Sequence, residues 1–79
     1  MTPDQREEMR VIYRRVANDF GIEEADIYVR DRSDLVRKAR WAAWDKCRRA
    51  GYSLETIAAL ANWNHTSVMH GIEKTRGRK

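Results

Sequence analysis

The sequence predicts an all-α fold, a small bundle of about four to five helices that contains a helix-turn-helix. Three observations lead there. Apolar residues recur at three- and four-residue steps, the spacing that gathers them on one side of a helix. Polar capping residues, Thr2, Ser33, Ser53 and Asn64, stand ahead of those stripes, while Gly21 and Gly51 follow two of them; these are the start and stop signals of helices. The length of 79 residues is enough to bury one modest core, so residues 1–75 are expected to form a single domain, with a basic flexible tail over 76–79.

The first helix opens at Thr2, its N-cap, with Pro3 in the first turn and Gln5 at the capping-box position, and runs to Phe20. Met9, Ile12, Tyr13, Val16, Ala17 and Phe20 form its apolar stripe, and Arg6, Glu7, Arg10, Arg14 and Asn18 face water. Gly21 supplies a left-handed stop. Residues 22–28 leave room for a turn or two of helix, and Val29-Arg30-Asp31-Arg32 reads as a charged connector. Ser33 caps a second long helix that reaches about Ala50 and ends at Gly51. Its seam, Val36, Ala39, Ala43, Cys47 and Ala50, is narrow enough for another helix to approach closely, with Trp41 and Trp44 flanking it as core. Arg37, Lys38, Arg40, Lys46, Arg48 and Arg49 decorate the rest.

Ser53 caps a short helix through Leu60, with Glu55 near its positive end and Leu54, Ile57, Ala58 and Leu60 as the apolar set. A tight turn, Ala61-Asn62-Trp63-Asn64, leads into a last helix over 65–75 capped by Asn64. Val68, Met69 and Ile72 are expected to point inward, and Thr66, Ser67, His70 and Lys74 to lie on or near the opposite face. A short helix, a tight turn and a second helix make a helix-turn-helix.

The composition narrows the partners. Residues 1–26 hold four Arg against seven Asp or Glu, and residues 27–79 hold twelve Lys or Arg against five acids. A basic excess confined to one part of the chain attracts polyanions, either nucleic acid or an anionic membrane surface. No apolar run approaches the ~20 residues needed to span a bilayer, and Met1-Thr2-Pro3-Asp4 begins no secretory segment, so a cytoplasmic, nucleoid-associated protein is expected. The one cysteine, Cys47, forms no internal disulfide and reads as inert packing in a reducing setting.

Ser53-Leu54, Ile57-Ala58 and above all His65-Thr66-Ser67-Val68-Met69-His70 resemble the signature of the C-terminal DNA-binding domain of the bacterial replication initiator DnaA, a Trp-repressor-like helix-turn-helix. That family reads Ser-Leu, Ile-Gly and then Arg-Asp-His-Thr-Thr-Val-Leu-His. Val16-Ala17, Phe20-Gly21-Ile22, Asp26-Ile27 and Ala39-Arg40 with Ala43 fall in the same order, so the similarity spans roughly residues 12–75. The resemblance implies that the helix starting at His65 enters the major groove of double-stranded DNA, with His65, Thr66 and Ser67 at base edges and phosphates. It also implies Arg32 in the minor groove and Arg48 on the backbone. Ser53, Arg40, His70, Lys74 and Arg76 complete the expected DNA-binding set, the cations among them supplying salt-dependent, sequence-blind affinity.

Two departures from the family bear on the target. Trp63-Asn64 stands where the family has Arg-Asp, and the turn is about one residue shorter. An aspartate accepts from cytosine, whereas an asparagine that reaches a base prefers adenine, so Asn64 either shifts base preference or serves only as a cap. Trp63 either closes the core from outside, touches the DNA backbone or marks a partner surface. His65 and His70 also admit reading as ordinary surface residues.

Function then reads as sequence-specific DNA binding by a transcriptional regulator or an origin or site-binding factor, phage-derived in character. No Gly-x-x-x-x-Gly-Lys-Ser/Thr phosphate loop is present, so the ATPase module of an initiator is not expected in this chain. The alternative is an interaction adaptor, or a DNA-reading accessory of a replication or packaging complex, that uses the first helix to bind a protein partner or a second copy in a homodimer. No enzyme, cofactor, small-molecule substrate or metal is expected: the sequence has no Ser-His-Asp order, and His70 with Glu73 lacks further ligands at suitable spacing.

Overall fold

The computed structural model describes residues 2–28 and 33–77, which contain five helices and no strand. In order these are α1 (Pro3–Phe20), α2 (Glu24–Tyr28), α3 (Asp34–Arg49), α4 (Leu54–Ala61) and α5 (His65–Thr75). The small all-α bundle expected from the sequence is therefore what forms, and α4, the turn at 62–64 and α5 are its helix-turn-helix.

Local chemistry sets the boundaries. Thr2 Oγ1 accepts from the Gln5 N–H at 3.2 Å while the Thr2 N–H donates to Gln5 Oε1 at 3.1 Å, the reciprocal capping box that satisfies two otherwise orphaned donors. Gly21 leaves the helix at φ 70°, a left-handed conformation that costs a residue with a Cβ, and Ile22 N–H closes on the Ala17 carbonyl at 3.0 Å. Ser33 and Ser53 cap α3 and α4 through Oγ, accepting from Val36 and Thr56. The connector over 29–32, Arg32 included, lies outside the described residues.

α3 is the central element and packs against each of the other four helices. Its seam residues Ala39, Ala43 and Cys47 are fully buried, as are Met9, Tyr13 and Val16 from α1, Ile57 from α4 and Val68 from α5. Tyr13 stacks on Tyr28 with ring centroids 5.0 Å apart, and the Tyr52 hydroxyl donates to the Glu8 carboxylate, tying the α3–α4 link to α1.

The structure corrects several expected positions. Ala50 is exposed, since α3 ends at Arg49 and the seam stops at Cys47. Met69 is 43% exposed; the inward residue of that turn is Gly71, whose missing side chain lets α5 come against Trp41 and Trp44. Trp41 is only half-buried, while Trp44 lies in the core. Arg40, expected on the solvent side of the long helix, is buried to 4% exposure.

Candidate nucleic-acid interface

The turn that presents α5 is built from three residues. Asn62 adopts a left-handed conformation at φ 58° and ends α4, a geometry that asparagine tolerates better than most residues. Trp63 then turns inward. Its ring meets Trp44 edge-on at 5.7 Å and lies under the Arg40 guanidinium at 4.9 Å. Asn64 caps α5, its Oδ1 accepting from the Ser67 N–H at 2.7 Å. The Asn64 side chain thus serves as a cap, and Trp63 closes the core while also bordering the surface between α3 and α5.

Beyond that cap one side of the first turns of α5 faces solvent, while Val68 is buried on the other. His65, Thr66 and His70 are exposed, Ser67 is half-buried, and Lys74 continues the exposed side one turn later. Thr66, His70 and Lys74, at four-residue steps, share one outward stripe, with His65 exposed at the start of the helix. Hydroxyl and imidazole groups there are at the positive end of the helix dipole and able to reach base edges or phosphates.

The remaining candidates fall on the two flanks of α5 or inside the protein. Arg48 is exposed and donates from Nη1 to the Tyr52 carbonyl at 3.1 Å. Together with Met69 and Arg76 it borders a shallow hollow between α3, α4 and α5. Arg76, expected in a loose tail, instead follows α5 as its C-cap and places Nε 2.6 Å from Asp45 Oδ1. Arg49 Nε reaches the other oxygen of Asp45 at 2.9 Å. Burial works to raise the Asp45 pKa, but the two guanidinium groups outweigh it and hold the carboxyl below its usual range. Ser53 is exposed at the start of α4, its Oγ also donating to Thr56 Oγ1 at 2.9 Å.

Arg40 is a structural cation in this fold. Its Nε donates to the Ile27 carbonyl at 3.3 Å, satisfying an acceptor in the last turn of α2 that the helix itself cannot pair. It thereby joins the end of α2 to Trp63 and the turn ahead of α5.

Sequence reasoning left two residues out of the site. Arg37, an exposed residue in the first part of α3, lies 5.6 Å from the Trp41 ring centroid, and Trp41 meets His70 edge-on at 6.5 Å. The four-residue step from Arg37 to Trp41 is the signal that was available, since such pairs touch on a helix. Among the described residues no group of three or more His, Cys, Asp or Glu is placed to hold a metal ion, and no helix is long and apolar enough to cross a membrane.

The sequence model for the bacterial dnaA protein helix-turn-helix matches residues 9–75 of the chain. Comparisons with curated proteins and with solved structures gave no match.

Proposed function

Because the chain belongs to the bacterial DnaA helix-turn-helix family, which binds DNA, we propose that it is a sequence-specific double-stranded DNA-binding protein whose α5 lies in the major groove. The observation that carries this reading is the start of α5: it is capped by Asn64, and its first two turns present His65, Thr66 and His70 to solvent. Thr66 offers a hydroxyl and a methyl, and the imidazoles offer a donor and an acceptor, which is the chemistry needed to distinguish base edges. Arg48 and Lys74 on α3 and α5 supply phosphate contacts, and Arg32, between α2 and α3, approaches the minor groove. The protein acts by binding rather than by catalysis, in the cytoplasm at the nucleoid, occupying a promoter or an origin-type site as a regulator or site-binding factor of phage-derived kind.

Selection of binding sites from a random duplex pool tests this, followed by titration of the winning site at two salt concentrations against a His65→Ala, Thr66→Ala variant. Enrichment of one motif is expected, with the variant losing preference but keeping weak, salt-sensitive binding. No enriched motif and equal binding by the variant would overturn sequence-specific readout and favour an adaptor that binds a partner protein through α1.

A further inference from the structure

Between the first half of α3 and the first turns of α5 lies a recess of about 400 Å³. Its walls are the rings of Trp41, Trp44 and Trp63, with Arg37 at one rim and Thr66 and His70 at the other. We propose that this recess seats the sugar–phosphate backbone of the DNA strand bordering the groove, with Trp41 packed on a deoxyribose and Arg37 on the adjoining phosphate. The proposal rests on the reading of α5 as the major-groove helix.

Three features favour that occupant. Trp41 is a large ring left partly exposed: Gly71 and Trp44 fill the space on its inner side, so it cannot withdraw further into the core. Beside it the Arg37 side chain is about half exposed, positioned by the Asp34 carboxylate and by the ring itself. An apolar wall next to a cation matches a strand in which apolar sugar faces alternate with anionic phosphates. The recess is also continuous with the reading surface, since Thr66 and His70 belong to both. A helix inserted in the major groove has a phosphate strand on each side; Arg37 and Trp41 lie on one flank of α5, and Arg48 and Arg76 on the other.

The test compares wild type, Arg37→Ala, Trp41→Leu and the His65→Ala, Thr66→Ala variant by fluorescence anisotropy on the selected duplex and on a scrambled one, over a salt series. Thermal melting of each variant establishes that it is folded. Arg37→Ala should weaken both duplexes by the same factor, roughly tenfold, the worth of one charge-assisted contact. It should also reduce the slope of log K against log salt by about 1. Trp41→Leu should weaken both duplexes equally with the slope unchanged. Replacing single phosphates by neutral methylphosphonates should reveal one linkage at which wild type loses affinity and Arg37→Ala does not. Unchanged affinity and slope in Arg37→Ala, while the α5 variant has lost its preference, would overturn the recess and leave the reading of α5 intact. A loss in Trp41→Leu confined to the selected duplex would make Trp41 a base reader and overturn the backbone seat. Absence of binding by wild type would overturn both.

Discussion

Replacing Gly71 by alanine should destabilise this protein, against the direction that helix propensity dictates. A Cβ at position 71 would lie 2.3 Å from Trp41 Cδ1, 2.9 Å from Trp41 Nε1 and 2.9 Å from Trp44 Cε3. Carbon atoms in contact sit about 3.5–4.0 Å apart, so the closest pair needs more than an ångström of relief. The atoms that must move belong to indole rings, one of them fully buried and braced by Trp63, not to the loose end of a flexible chain. Glycine to alanine in a helix interior stabilises by about 1 kcal/mol through backbone entropy. Overpacking a filled core costs about 1–3 kcal/mol, and a collision with two rings belongs at the upper end. The balance is about 2 kcal/mol of destabilisation, or roughly a 10 °C fall in Tm for a domain of this size. Far-UV circular dichroism followed through heating and urea melts measures it. Gly21→Ala is the control: φ is 70° with open space around the position, so only the strain of a left-handed residue is felt, about 1 kcal/mol. If Gly71→Ala melts at or above wild type, α5 does not approach α3 as described, and the argument that Trp41 is held at the surface fails with it.

Asn64→Ala should lose about 1 kcal/mol of stability, the worth of an N-cap, whereas Asn64→Asp should keep it; an unchanged base preference for Asn64→Asp, on duplexes varied one pair at a time, would establish the cap as the residue's whole role. Alkaline titration should unfold the protein in a defined window. The hydrogen bond to Glu8, with burial, pushes Tyr52 up to about 12, and burial, with the Glu24 carboxylate, does the same to Tyr28. Folded pKa values above the unfolded value of 10 mean that the stabilisation is complete below pH 10 and is lost as pH rises from there through 12, because the unfolded chain ionises first; tyrosinate absorbance and circular dichroism should change together across that window. Cys47, pushed up to about 12 by burial, should resist thiol reagents in the native state and react once urea unfolds the chain.

The helix boundaries were legible because the chemistry that sets them acts within four residues. Thr2 with Gln5, Ser33, Ser53 and Asn64 each cap the turn that follows them, and Gly21 stops the helix it ends. What depends on a partner from elsewhere in the chain was not legible. Arg40 sits among basic residues of a long helix, and nothing near it in sequence announces that the Ile27 carbonyl and the Trp63 ring will meet it. On α5, Val68, Met69 and Ile72 make an acceptable apolar stripe, but so do Val68, Gly71 and Ile72 once a neighbouring helix requires room. A glycine contributes nothing to hydrophobic periodicity, so the stripe legible in the sequence takes in the exposed Met69 and misses the buried Gly71. Of the residues expected on the outer face of α5, Thr66, His70 and Lys74 are exposed and Ser67 is half-buried; this much follows from the cap and the helical step alone.

Trp63 and Asn64, standing where the family pattern has an arginine and an aspartate, are both committed to folding: one lies against Trp44 and beneath Arg40, the other caps α5. Both contacts hold the turn that presents the start of α5. Arg40 bears on Trp63 at one end and on the Ile27 carbonyl at the other, so a single buried cation ties the turn ahead of α5 to the last turn of α2, from which the chain enters 29–32. The last turn of α2 and the turn ahead of α5 are therefore referenced to one another through the core. A turn already fixed in place avoids the ordering cost that a loose one incurs on association. On the proposed docking, in which one helix enters one groove and little surface is buried, that saving adds directly to affinity.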